Sequence, residues 1–167
     1  GVTGSALAHE THWVKRAGGI LDDFGFGIAV DGNGSSFIVG AFEGTSTFGG
    51  GEAQETTLQT SGGEDDFDAF IAKYDPAGLL LWVEQVGGPD GNWANGFDIE
   101  MDGSGNSIVV GGFWGEAKFD AGGSNETVLT SAGSGSSGFG DIFLAKYDND
   151  GNLLWARRAG GTGGDWG

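Results

Sequence analysis

The sequence predicts an all-β chain built as a tandem array of antiparallel hairpins. Three observations carry that prediction. The chain contains an internal repeat near 70 residues, glycine-rich turns separate alternating apolar runs, and no window has amphipathic helical spacing. Residues 25–48 match residues 96–119 with 12 of 24 positions identical, and residues 68–82 match 141–155 with 10 of 15 identical. The offset grows from 71 to 73 between the two alignments, and the slip falls in the Gly/Ser run 132–140, where an insertion costs little. A period of this size indicates one supersecondary unit used more than once.

Residues 1–11 match nothing else in the chain and read as an extended lead-in. The first unit is 12–81 and the second 82–154; residues 155–167 begin a third unit or supply a closing strand. Residues 12–19, 81–88 and 154–161 are copies of one segment, each a strand ended by a glycine pair and anchored by Trp13, Trp82 or Trp155. The run Phe26, Ile28, Val30 shares one strand face. In the second copy Phe97, Ile99 and Met101 repeat that face, and Asp98 and Glu100 mark the other as wet. The turns at 31–34 and 102–105 join these strands to 36–42 and 107–113, and Asp with Gly between alternating runs is a strong hairpin signal. A looser stretch follows, 44–63 or 115–140, holding short β runs at 56–60 and 127–130. A second hairpin closes each unit, turning at 76–78 or 149–151. Residues 79–83 are apolar on both faces, which predicts a central strand. The count is five or six strands per unit.

Composition narrows the function. Gly is 37 of 167 residues with only 2 Pro, so the chain is neither collagen nor a polyproline linker, and 12 Phe with 6 Trp supply a β core. Net charge is −17 with seven Lys+Arg, a surface that repels phosphate backbones and anionic lipid. Nucleic acid and membrane insertion are therefore not expected, and no apolar run reaches the ~18–20 residues of a spanning helix. The charge suits solubility; cation binding is its sharper reading. There are no cysteines, hence no disulfides, thiolate metal sites or Cys nucleophiles.

No residue set identifies a reaction, and no catalytic, cofactor or metal residue is assigned. His9-Glu10-Thr11-His12 has the wrong spacing for a zinc helix, and two His without Cys make a triad improbable. Asp148-Asn149-Asp150-Gly151-Asn152 resembles the start of a calcium loop but lacks its distal Glu, so a hairpin turn is the plainer reading. Glu64, Asp65 and Asp66 with Asp68 read as a solvated loop. Asn33 and Asn125 begin glycosylation sequons, which are common by chance. Trp93, Trp114 and Trp166 fall in or beside loops and are the residues a sugar-stacking site would use; packing is the competing reading.

The segments Trp-Val-Lys-Arg-Ala-Gly-Gly at 13–19, Gly-Ile-Ala-Val-Asp-Gly-Asn-Gly at 27–34, residues 37–49, 68–78 and 151–161 resemble the SBBP, or seven-bladed β-propeller-type, bacterial repeat family. The resemblance implies propeller-like blades, an open or incomplete propeller, in secreted or surface-attached proteins, without a shared active site. Either each unit is one blade with a long insertion, or it is nearer two blades. Two units fall short of the roughly four blades a ring needs. Unclosed sheets leave edges that attract other strands. Three arrangements remain open: a piece of a longer repeat protein, the strand around Trp13 closing the last sheet, or edges met by neighbouring copies. The expected function is a non-enzymatic structural or interaction module, extracellular or on the cell surface, assembling with copies of itself into a filament or array. The alternative is a carbohydrate-binding module with glycans as partners.

Overall fold

A computed structural model of the chain describes residues 13–62, 66–88, 92–132, 140–163 and 165. Among these residues there are thirteen strands and no helix. The strands are β1 (Gly18–Gly19), β2 (Asp23–Val30), β3 (Ser36–Glu43), β4 (Thr45–Phe48), β5 (Thr56–Gln59), β6 (Phe67–Tyr74) and β7 (Leu80–Val86). The second unit continues with β8 (Trp93–Met101), β9 (Ser107–Trp114), β10 (Glu116–Phe119), β11 (Thr127–Thr130), β12 (Asp141–Tyr147) and β13 (Leu153–Ala159). One four-stranded sheet has the order β2-β3-β6-β7 and the other the order β13-β12-β9-β8, all antiparallel. Each unit also carries an inserted hairpin, β4-β5 or β10-β11. A unit is therefore one sheet with a long insertion, not two sheets. The sequence period divides the chain inside β7, whereas the sheets divide it between Val86 and Trp93.

Both hairpins of both units close with the same turn. Asp31 Oδ1 accepts N–H bonds from Asn33 and Ser35, at 2.8 and 2.9 Å. Asp75 does the same for Ala77 and Leu79, Asp102 for Ser104 and Asn106, and Asp148 for Asp150 and Asn152. The fourth residue of each turn is a glycine at positive φ, from 79° to 89°. That region is costly for a residue with a Cβ, which is why the sequence repeats Asp-x-x-Gly four times.

Three expectations need correction. Residues 79–83 do not form a central strand: β7 is an edge strand, and Leu81 is 42% exposed. Leu80 and Val83 pack on one face and Trp82 on the other, while Leu81 is the extra residue of a bulge opposite Lys73 and Tyr74. An edge strand packed on both faces, with one residue spent on a bulge, reads like a buried one. The segment around Trp13 does not close the last sheet. Residues 13–17 lie outside regular structure, and only Gly18–Gly19 pair, with β4 of the first unit. Finally, Asp66 and Asp68 are buried, not solvated.

Candidate interaction surface

The two sheets pack face to face, and most of the core lies between them. Directly paired residues share a face, so Phe37, Val39 and Ala41 lie with Lys73, Ile71 and Ala69 on one side of the first sheet. This side meets Ile99, Val109, Phe143 and Tyr147 of the second sheet in one cluster. Ile99 is 2% exposed, and several of its neighbours are fully buried. Each such side chain contributes about 1.5–3 kcal/mol. At the closest approach, a Cβ on Gly96 would lie 2.2 Å from Val39 Cγ2. The seam is also bonded at one edge, where Trp82 Nε1 donates to Asn149 O at 3.1 Å.

The first sheet repeats the second sheet's seam face, and among the described residues no second sheet covers it. Phe42, Phe48, Phe70, Ala72, Tyr74 and Leu80 form a separate, smaller cluster. Their repeat equivalents are Phe113, Phe119, Phe143, Ala145, Tyr147 and Leu153, all members of the seam cluster. Ile28, equivalent to Ile99, is 64% exposed and Val30 is also open, whereas Phe26 is the extra residue of a bulge, stacks on Phe24 and does not share their face as the sequence suggested. Gly25, equivalent to Gly96, has nothing within 4 Å of a built Cβ. A cavity of about 220 Å³ lies on this face, lined by Trp13, Phe24, Ile38, Phe48, Phe70 and Tyr74 among others. The outer face of the second sheet is the complement, since Leu144, equivalent to the fully buried Ile71, is 36% exposed.

Residues 13–19 sit on the first sheet as β7 sits on the second. Trp13 Nε1 donates to Pro76 O at 3.2 Å, the counterpart of the Trp82 bond. Gly19 N donates to Asp23 Oδ2 at 2.7 Å, and Gly161 N to Asp165 Oδ2 at 2.8 Å. The segment holds the seat of a last strand, with no sheet behind it among the described residues. Residues 12–41 match the family model of SBBP, a beta-propeller repeat. The match spans this segment, β2, the Asp31 turn and most of β3. No curated protein matches the chain. The first four-stranded sheet carries this repeat match and the second repeats its topology, so both are propeller-like blades, and the exposed face of the first is the candidate interaction surface.

The other residues singled out in the sequence fall elsewhere. Trp13 and Trp82 are half-buried rim anchors and not core centres. Trp93 and Trp114 lie in strands, paired across β8 and β9 and partly buried, and not in loops. Asp148 spends both carboxylate oxygens on N–H donors, Oδ1 on the turn and Oδ2 on Asn152 Nδ2 at 2.9 Å, which is the work of a hairpin turn. Asn125 Nδ2 donates to Leu153 O at 2.9 Å, while Asn33 sits in an exposed turn. His9, His12, Glu64, Asp65 and Trp166 lie outside the described residues.

Proposed function

We propose that the chain is a non-enzymatic structural repeat module of a secreted or cell-surface bacterial protein, and that its blades stack head to tail on blades of further copies. One observation carries this reading: Ile28 is 64% exposed where its repeat equivalent Ile99 is 2% exposed under the neighbouring blade. The internal seam is the template for the contact. The outer face of the second blade in one copy meets the open, Ile28-bearing face of the first blade in the next. The two faces differ, so the contact is heterologous and propagates into a ring or a fibre. An incoming blade brings its own last strand, β13, to the seat held by residues 13–19. Trp155 then replaces Trp13 on Pro76 O. The exchange replaces like with like, since residues 13–19 are held by two ladder pairs, the Trp13 bond, the Gly19–Asp23 bond and the Lys15–Glu52 pair.

Sedimentation velocity over a concentration series tests this. The wild type is expected to associate with increasing concentration, and Ile28→Asp to remain a folded monomer. Trp13→Ala, which loosens the seat, is expected to associate at lower concentration. A wild type that stays monomeric at millimolar concentration overturns the reading.

A further inference from the structure

Lys15, Glu84 and Arg157 hold one position in the three copies of the last-strand segment, two residues after Trp13, Trp82 and Trp155. The insertion after the first hairpin comes in two copies, and Glu52 of the first corresponds to Gly123 of the second at the repeat offset of 71. The structure keeps that register: Gly51 N donates to Glu55 Oε2 at 2.6 Å, and Gly122 N to Glu126 Oε2 at 2.7 Å. Where the insertion carries a carboxylate, the segment beside it carries an ammonium, and Lys15 Nζ lies 2.6 Å from Glu52 Oε1. Where the strand carries Glu84, the insertion has Gly123, and Asp120 Oδ2 is taken by Asn125 N at 2.9 Å within its own loop. Neither Glu52 nor Arg157 stands out in the sequence by itself; only the repeat alignment marks them.

Glu52 is built into the first blade. Its side chain is 11% exposed, and Leu80 N donates to Oε2 at 2.7 Å, which leaves Oε1 for the seat of residues 13–19. A cavity of about 420 Å³ at this seat is lined by Val14, Lys15, Arg16, Gly49, Gly50 and Glu52 among others. It gives room for a guanidinium, which is larger than an ammonium. Arg157 pairs with Leu144 across β12 and β13, so it stands on the outer face of the second blade. It is exposed, and Nη1 donates to Ala156 O at 2.8 Å. Among the described residues no carboxylate pairs with it.

We propose that Glu52 determines which strand is accepted at the contact between copies, its carboxylate exchanging Lys15 of its own chain for Arg157 of the neighbouring copy. The proposal rests on the head-to-tail stacking described above and names the charge that selects the incoming strand. Arginine meets a carboxylate through a planar fork of donors, with better-fixed geometry than an ammonium has. A strand with glutamate at this position, as β7 has, sets two carboxylates together, and like charges at an interface are costly. The open face therefore accepts a second blade and rejects a first blade, so the two kinds alternate along the assembly in one direction.

Two single-ended copies test the assignment by titration calorimetry and sedimentation velocity. Ile28→Asp blocks the open face and keeps Arg157; Leu144→Asp blocks the outer face and keeps Glu52. Each is expected to stay monomeric alone, and the mixture to form a heterodimer. Arg157→Glu added to the first copy is expected to weaken that heterodimer at least about tenfold. Glu52→Lys added to the second is expected to do the same, and the two charge-exchanged copies together to recover most of the affinity. Glu52→Gln, a smaller change, is expected to give a second copy that responds little to Arg157→Glu. No heterodimer from the two single-ended copies overturns the stacking itself, and this assignment with it. A heterodimer indifferent to Arg157→Glu, or weakened by it equally in the Glu52→Gln copy, overturns the role of Glu52 and leaves the stacking standing.

Discussion

Gly96→Val is expected to destabilise the protein strongly, and Gly25→Val to leave the isolated chain folded. The two glycines are repeat equivalents, each followed by a phenylalanine and each paired with the second strand of its hairpin, so intrinsic strand propensity predicts similar effects at both. The seam separates them. On Gly96 the first added carbon lies 2.2 Å from Val39 Cγ2, and Val39 is fully buried between the blades. Overpacking of this kind costs about 1–3 kcal/mol, and valine adds two further carbons in the same place. On Gly25 the same carbon meets nothing within 4 Å. Urea unfolding at low protein concentration measures the difference, and it should be at least about 2 kcal/mol. Gly25→Val has a second expected effect: it should abolish concentration-dependent association, because the valine stands where the next copy's blade must approach. A Gly25→Val chain that still associates like the wild type would place the contact on another surface.

The contrast between these glycines also marks how far the sequence could be read. The hairpins were legible because Asp-x-x-Gly states its own turn, with the carboxylate and the positive φ both local. The short runs that became β5 and β11 were legible from threonine-rich alternation. The apolar pair Ile28 and Val30 was visible as well, though the bulge that takes Phe26 out of the stripe was not, and a repeat writes the same stripe in both copies. Nothing local says that Ile99 is covered and Ile28 is open. Strand order failed for a related reason: residues 79–83 look central because a bulge and a two-sided packing arrangement are both properties of the partner strands.

Removal of Arg158 should produce the largest single loss of stability, and its reason lies in another difference between the units. Asp68 and Asp141 are equivalent and almost wholly buried. Arg158 pairs with Asp141 Oδ2, and Ala132 N donates to the same oxygen at 2.8 Å. In the first unit the partner is neutral: Gln85 Nε2 donates to Asp68 Oδ2 at 2.5 Å. Arg158→Ala leaves a buried carboxylate without its cation, an expected cost of about 3–5 kcal/mol. Arg158→Gln copies the first unit's arrangement and should cost less.

The reverse exchange, Gln85→Arg, should stabilise the first blade, and the gain should depend on pH. Burial raises the Asp68 carboxyl from 3.8 to about 6. The folded state therefore binds this proton more tightly than the unfolded chain does. Between about pH 4 and pH 6 the folded state holds more protons, so stability falls as pH rises through that window. Above pH 6 the penalty is complete, about 3 kcal/mol, because each tenfold change in proton affinity is worth about 1.4 kcal/mol. An arginine at position 85 favours the charged carboxylate and removes much of that penalty. Gln85→Arg should melt higher than the wild type at pH 7.5 and show little advantage at pH 4. Equal gains at both pH values would mean that the arginine acts by packing and that Asp68 is not the group it relieves.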